Sequence, residues 1–336
     1  MFSNRLWSET VFIVLLLLIL DAISSEGGTP WRWALAGLMF GLAALTRPLI
    51  VTLFPPLALW ALLQARRDRK AWRLWVIRYA TLAGACALVI LPWTARNARA
   101  TGAFVLIDTN GPFNFLVGTQ PEAAFVDKDD VWSGRFGLVE GEPYERAANR
   151  DPAHTQAIAM ATARQNIEAD PGRFVRKSLW EAGHLWSLDS FLLRHLRNGW
   201  YGNVPRWAIA IATVASTGFF IILVVAGFAG LAASPPGSYR GLALLLLASF
   251  TALFGLTYSL SRYALPMHAL LTVPAAAAIL APSPTLAALT RGAARHRRVA
   301  FWAALLALAL VWLGNLPKLA DMVAHGGAHY QFHRIR

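Results

Sequence analysis

Leu74 to Trp93 reads LWVIRYATLAGACALVILPW. A run of this length and apolarity matches the hydrocarbon core of a bilayer, which takes roughly 20 helical residues. Just before it lie Arg66, Arg67, Arg69, Lys70 and Arg73, and just after it Thr94-Ala95-Arg96-Asn97. Cations clustered in a short loop beside an apolar run mark the cytoplasmic end of a membrane span, so this stretch fixes both the solvent of the chain and its direction of threading. The composition agrees: hydrophobic residues fill 56% of the 336 positions and charged residues only 15%, and the mean hydropathy is +0.45, above what a water-soluble surface tolerates. The net charge of +13 comes mainly from Arg in short loops. It forms no basic stripe interleaved with aromatics, so it argues for membrane lipids as partners and against nucleic acid.

Outward from that stretch, apolar runs at 9–25, 31–47, 48–64, 74–93, 206–232, 240–260, 263–281 and 299–317 predict an all-α polytopic transmembrane helical bundle of about eight spans. Runs 31–47 and 48–64 share one apolar stretch broken at Thr46-Arg47-Pro48, and each is barely long enough, so a re-entrant pair is the alternative there. A second basic loop holds Arg291, Arg295, Arg297 and Arg298. An even number of runs separates the two loops, so both lie on the cytoplasmic side. The segment 95–205 is then a large extracytoplasmic loop, since long loops translocate largely regardless of charge. The chain divides into N-terminal spans (1–94), this loop (95–205), C-terminal spans (206–317) and an extracytoplasmic tail (318–336). Counting back from the first basic loop places Met1 outside with nothing to carry it across, which predicts further spans upstream of Met1.

Many of the fourteen Trp, among them Trp7, Trp31, Trp33, Trp60, Trp72, Trp93 and Trp207, stand near run ends and read as interface anchors. The single cysteine, Cys86, excludes an intramolecular disulfide and a cysteine metal cluster. Inside the large loop, Glu145–Ala169 predicts an amphipathic helix with Met160, Ala163 and Ile167 on its apolar face, ending at Asp170-Pro171-Gly172. Phe174–Leu193 is apolar and aromatic with charges interspersed, which predicts a helix lying on the membrane surface. The run Asp127-Lys128-Asp129-Asp130 reads as a solvated surface. His184, His195, His325, His329 and His333 lack compact metal-ligand spacing.

Three clusters carry chemistry. Leu91-Pro92-Trp93-Thr94-Ala95-Arg96-Asn97 is followed by Asp108-Thr109-Asn110-Gly111-Pro112-Phe113-Asn114-Phe115-Leu116-Val117-Gly118. Asn amides donate and accept, which suits sugar hydroxyls or phosphate oxygens, although Asn-Gly also marks ordinary turns. Ser261-Arg262-Tyr263 precedes Leu265-Pro266-Met267-His268, on the same predicted side as Asn110. A guanidinium there can grip a phosphate bidentately or simply snorkel to the interface. Ser8-Glu9 opens the first run, and Arg47 is predicted near the same face. Favourable interaction with the helix dipole accounts for Glu9; a divalent-metal or headgroup ligand is the alternative.

At these clusters the chain resembles the GT-C membrane glycosyltransferases, particularly the bacterial group akin to protein O-mannosyltransferases and lipid A aminoarabinose transferase (family 39- or 83-like). The resemblance rests on Ser8-Glu9, Gly41-Leu42-Ala43-Ala44-Leu45-Thr46-Arg47-Pro48, the stretch Leu91 to Gly118, and Ser261-Arg262-Tyr263-Ala264-Leu265-Pro266, in that order. It implies a multi-pass protein of the bacterial inner membrane that takes a sugar from a polyprenyl-phosphate donor and passes it to a lipid, protein or glycan acceptor at the outer face. By position it makes Arg262, Arg96 and Arg47 donor-phosphate contacts and places Glu9, Asn97, Asn110, Asn114, Gly118 and Tyr263 around the substrate pocket, with Glu9 as a metal or headgroup ligand. No cofactor is otherwise implied. The family's acidic base precedes the helix that Ser8-Glu9 opens, so that base is expected upstream of Met1. A transporter or flippase of lipid-linked saccharides, or a non-catalytic scaffold derived from a transferase, are the competing readings. No sequence repeat of the kind common in transporters accompanies the spans.

Overall fold

A computed structural model describes residues 8–24, 29–67, 72–125, 138–188, 190–197, 201–202, 204–235, 238–292 and 294–325. Met1, Trp7, Arg69, Lys70, the charge run at 127–130, His329 and His333 lie outside them. In chain order the structure runs through α1 (Ser8–Ser24), α2 (Pro30–Thr46), a 3-10 turn (Pro48–Leu53), α3 (Phe54–Arg67), α4 (Trp72–Thr101) and α5 (Asn110–Thr119). A short antiparallel hairpin, β1 (Leu138–Val139) with β2 (Glu142–Pro143), leads into α6 (Tyr144–Arg150), α7 (Pro152–Ala169), α8 (Pro171–His184) and α9 (Phe191–Arg197). Helices α10 (Arg206–Ala233), α11 (Ser238–Leu256), α12 (Leu265–Leu280), α13 (Pro282–Ala287) and α14 (Arg295–His325) complete it.

Each of the eight apolar runs contains a helix, and that of the run 240–260 ends at Leu256. Among the described residues, six helices are long and apolar enough to cross a membrane: Pro48–Arg66, Trp72–Thr101, Arg206–Ala233, Tyr239–Leu256, Ser261–Leu280 and Arg295–His325. The other two, α1 and α2, have 17 described residues each, at the short end of the range that crosses a bilayer. Large apolar side chains on the spans face outward, among them Leu88 and Leu91 on α4, Phe219 on α10 and Leu306 on α14. Such surface is stable in lipid, where helices satisfy their own backbone.

The described residues form two compact units. The first comprises those of 1–124, 134–175 and 235–257, the second those of 125–133, 176–234 and 258–336. In the first unit α2 packs on α1 and α4, and α3 packs on α4 and α11. Gly37 and Gly41, one turn apart, permit the α2–α4 approach: a Cβ on Gly37 would stand 2.3 Å from the Leu82 carbonyl oxygen, the close contact that small residues allow between membrane helices. Trp33 and Trp60 are buried and make an aromatic cluster with Trp75. They are core residues rather than interface anchors, whereas Trp31, Trp72, Trp93 and Trp207 are exposed. The chain leaves α2 at Arg47, whose extended backbone (φ −145°, ψ 99°) is the conformation a following proline imposes.

The loop portion of the first unit has its own core, in which Leu116, Val139, Tyr144, Ala148 and Ala159 are buried together. The single helix expected over 145–169 is two. Asp151 ends α6 and caps α7, its Oδ1 accepting from His154 N at 3.0 Å, and Pro152 opens α7. The buried face of α7 is Thr155, Ala159 and Ala163, and Met160 is exposed.

In the second unit α10 packs on α12 and α14. A Cβ on Gly230 would meet the Pro274 carbonyl oxygen at 2.0 Å, so this crossing too requires glycine. Arg297, from the second basic loop, donates to the Ser234 carbonyl at the C-terminal end of α10 at 3.1 Å, where a cation is favoured.

Candidate functional site

In the first unit the sequence clusters form two groups. Glu9, in the first turn of α1, is buried and its Oε1 is ion-paired with Arg47 Nη2, while Ser8 Oγ donates to Oε2 at 3.3 Å. A carboxylate at a helix N-terminus is favoured by the helix dipole, and Arg47 arrives there because the Arg47-Pro48 break ends α2. Among the described residues no three His, Cys, Asp or Glu side chains gather as metal ligands, and Glu9 faces a guanidinium.

The second group is the end of α4 with the chain that returns along it. Helix α4 runs through the expected exit at residue 94 to Thr101 and holds the returning strand by side chains. Trp93 Nε1 donates to the Ile107 carbonyl at 3.1 Å, Thr94 Oγ1 to the Leu106 carbonyl at 2.7 Å, and Asn97 Nδ2 to the Val105 and Ile107 carbonyls at 3.2 and 3.0 Å. Asn97 Oδ1 accepts from Arg96 Nη1 at 3.3 Å, and the Arg96 guanidinium lies 4.7 Å from the Trp93 ring centre. Asn97 therefore clamps backbone. Asn110, at the start of α5, is exposed, and its Nδ2 donates to Asp108 Oδ2 at 2.6 Å. Asn114 lies one turn further along α5 and is half-buried. Tyr144 Oη donates to the Thr109 carbonyl at 2.7 Å. Burial pushes that phenol up to about 12; its bond to Thr109 opposes the shift and the Asp108 charge adds to it.

Gly118 is buried where α5 meets the backbone of Thr257, and an added Cβ would stand 2.3 Å from the Thr257 carbonyl oxygen. Backbone cannot move aside as a flexible side chain can. Gly118→Ala is expected to destabilise by about 1–3 kcal/mol, the cost of overpacking. Gly111→Ala on the same helix meets nothing and is the control. Thermal unfolding of the two variants in detergent measures the difference, and equal midpoints would contradict the close approach.

In the second unit Arg262 lies in a 3-10 turn, Ser261–Ala264, that leads straight into the N-terminus of α12. Its guanidinium carbon stands 5.5 Å from the Tyr263 ring centre, and its Nε is buried without a hydrogen-bond partner among the described residues. Tyr258 is buried, with its ring 6.0 Å from that of Tyr263. Burial raises the Tyr258 phenol above its usual range, the Tyr263 and Glu181 interactions add to this, and the Arg262 charge opposes it.

Sequence reading missed Lys177 and Glu181. They fall among the charges interspersed in the helix expected to lie on the membrane surface, and are 2% and 0% exposed, while Leu179 between them is 71% exposed. Helix α8 thus turns Lys177 and Glu181 inward and Val175 and Leu179 outward, while Arg176 is exposed. Glu181 Oε2 accepts from Ser259 N at 2.8 Å and from Ser259 Oγ at 2.7 Å, just ahead of the Arg262 turn. The signal available in the sequence was a Lys and a Glu of opposite charge four residues apart, one helical turn, flanking Leu179 and Trp180.

The fold and these clusters define an all-α integral membrane protein with buried charge at its helix ends. No protein-family model, curated protein or solved structure matches the chain.

Proposed function

We propose that the chain is a GT-C type glycosyltransferase of the bacterial inner membrane, with about eight spans. On this reading it transfers a sugar from a polyprenyl-phosphate donor to a lipid, protein or glycan acceptor at the extracytoplasmic face. The observation that carries the reading is Arg262. A buried guanidinium N–H without a partner, at the N-terminus of α12 and beside Tyr263, is a ready acceptor of phosphate charge. Of the arginines named for the donor phosphate, Arg47 is ion-paired with Glu9 and Arg96 is held by Trp93 and Asn97, so Arg262 is assigned the departing phosphate and the other two order the outer ends of their helices. Within the second unit Tyr263, beside Arg262, is assigned to the substrate pocket. The base that activates the acceptor is assigned to none of the described residues.

The reading is tested by incubating the detergent-purified protein with a polyprenyl-phosphate sugar and an acceptor extract. The assay is run on this chain and on the product of the same reading frame extended upstream of Met1. Release of polyprenyl phosphate with sugar appearing on the acceptor is the expected result. Donor left intact by both proteins would overturn it, and donor that crosses a vesicle membrane unchanged would identify a transporter instead.

A further inference from the structure

Glu181 is the most deeply buried carboxylate among the described residues, and the function proposed above does not use it. It sits on α8 one turn after buried Lys177, so the helix carries two opposite charges on its protein-facing side. Burying a carboxylate is costly unless hydrogen bonds and opposite charge compensate it, and such compensation holds the donors in one place. Two of the donors belong to one residue, Ser259, which gives both its backbone N–H and its hydroxyl to a single oxygen, Oε2. Ser259 is itself fully buried. Only Leu260 separates it from the 3-10 turn Ser261–Ala264, and Tyr263 N closes that turn on the Leu260 carbonyl at 2.8 Å. A shift of Ser259 therefore moves the base of the turn that carries Arg262 and Tyr263.

We propose that Glu181 is a positioning residue: through its two bonds to Ser259 it sets the turn that aims the Arg262 guanidinium at an anionic phosphate. The ligand class rests on the transferase reading, whereas the mechanical coupling of Glu181 to Arg262 does not. Glu181 touches no substrate in this scheme; its effect on Arg262 passes through Ser259.

The test uses the full chain in detergent, with Ser259→Ala and Glu181→Gln as variants. Ser259→Ala removes the hydroxyl bond and keeps the N–H bond. Glu181→Gln keeps an acceptor oxygen and removes the charge. Two readouts are taken beside the unfolding midpoint: the rate at which phenylglyoxal modifies Arg262, resolved by peptide mass spectrometry, and the affinity for polyprenyl monophosphate. The expected result is that Ser259→Ala changes the Arg262 modification rate and weakens polyprenyl monophosphate by up to about tenfold, the ceiling set by one lost charge-assisted hydrogen bond. Glu181→Gln should fall between Ser259→Ala and the parent in both readouts. If both variants lower the unfolding midpoint but leave Arg262 reactivity and phosphate affinity unchanged, Glu181 only holds the fold and the proposal is overturned. Should Arg262 reactivity change while neither parent nor variants bind polyprenyl monophosphate, the positioning role stands and the transferase reading fails.

Discussion

Arg262→Ala should lower the release of polyprenyl phosphate by roughly 10²-fold or more, the loss typical when one preorganised group facing developing charge is removed. The expectation follows from where the charge is held. The side chain rides on the turn that opens α12, so the N-terminal end of that helix adds positive potential to the guanidinium. Its Nε is already out of water and has no partner among the described residues, so a phosphate oxygen arriving there gains a charge-assisted bond without displacing an existing one. The Tyr263 ring beside the guanidinium limits its movement. Because the charge on phosphate grows as the sugar leaves, the loss should fall on kcat more than on KM. Arg262→Lys should restore only part of the rate, since an ammonium cannot reproduce the planar fork. An Arg262→Ala protein with an unchanged rate would remove this residue from the mechanism and with it the main support for the reading.

The architecture was legible because lipid and helix together impose a long apolar run, and every such run contains a helix here. Local punctuation was legible too. Arg47-Pro48 ends α2 as expected, whereas the capping signal at Asp151-Pro152 was passed over and splits the helix expected over 145–169. What the sequence could not supply was which side of an apolar helix meets lipid and which meets protein, because both environments are apolar. For this reason Trp33 and Trp60 read as interface anchors and are core, and Lys177 and Glu181, unnamed among the charges interspersed over 174–193, are buried. Asn97 shows a related limit. An Asn amide offers the same donors to a sugar or to its own chain, and only the return of residues 105–107 along α4 decides that they go to backbone. Gly118 was named for a pocket, and its reason for being glycine is contact with Thr257, a partner far away in sequence.

Glu9→Ala is the second large effect, on stability rather than rate. Its side chain is 9% exposed and that of Arg47 15%, so the pair is buried, and removing one partner of a buried pair costs about 3–5 kcal/mol because the other charge loses its compensation. The loss also reaches beyond the pair itself. Glu9 joins the start of α1 to the break between α2 and the Pro48–Leu53 turn, so both short helices should loosen together. Replacing both residues, Glu9→Gln with Arg47→Met, should recover most of the stability, since no uncompensated charge is then left inside. Unfolding of the two single variants and the double variant in detergent gives the coupling directly. Additive effects would mean that the two charges do not depend on each other. The same variants separate structure from chemistry at this position: a double variant that regains both stability and turnover makes Glu9 a structural tie, whereas one that regains stability without turnover places the Glu9 carboxylate or the Arg47 guanidinium against the substrate.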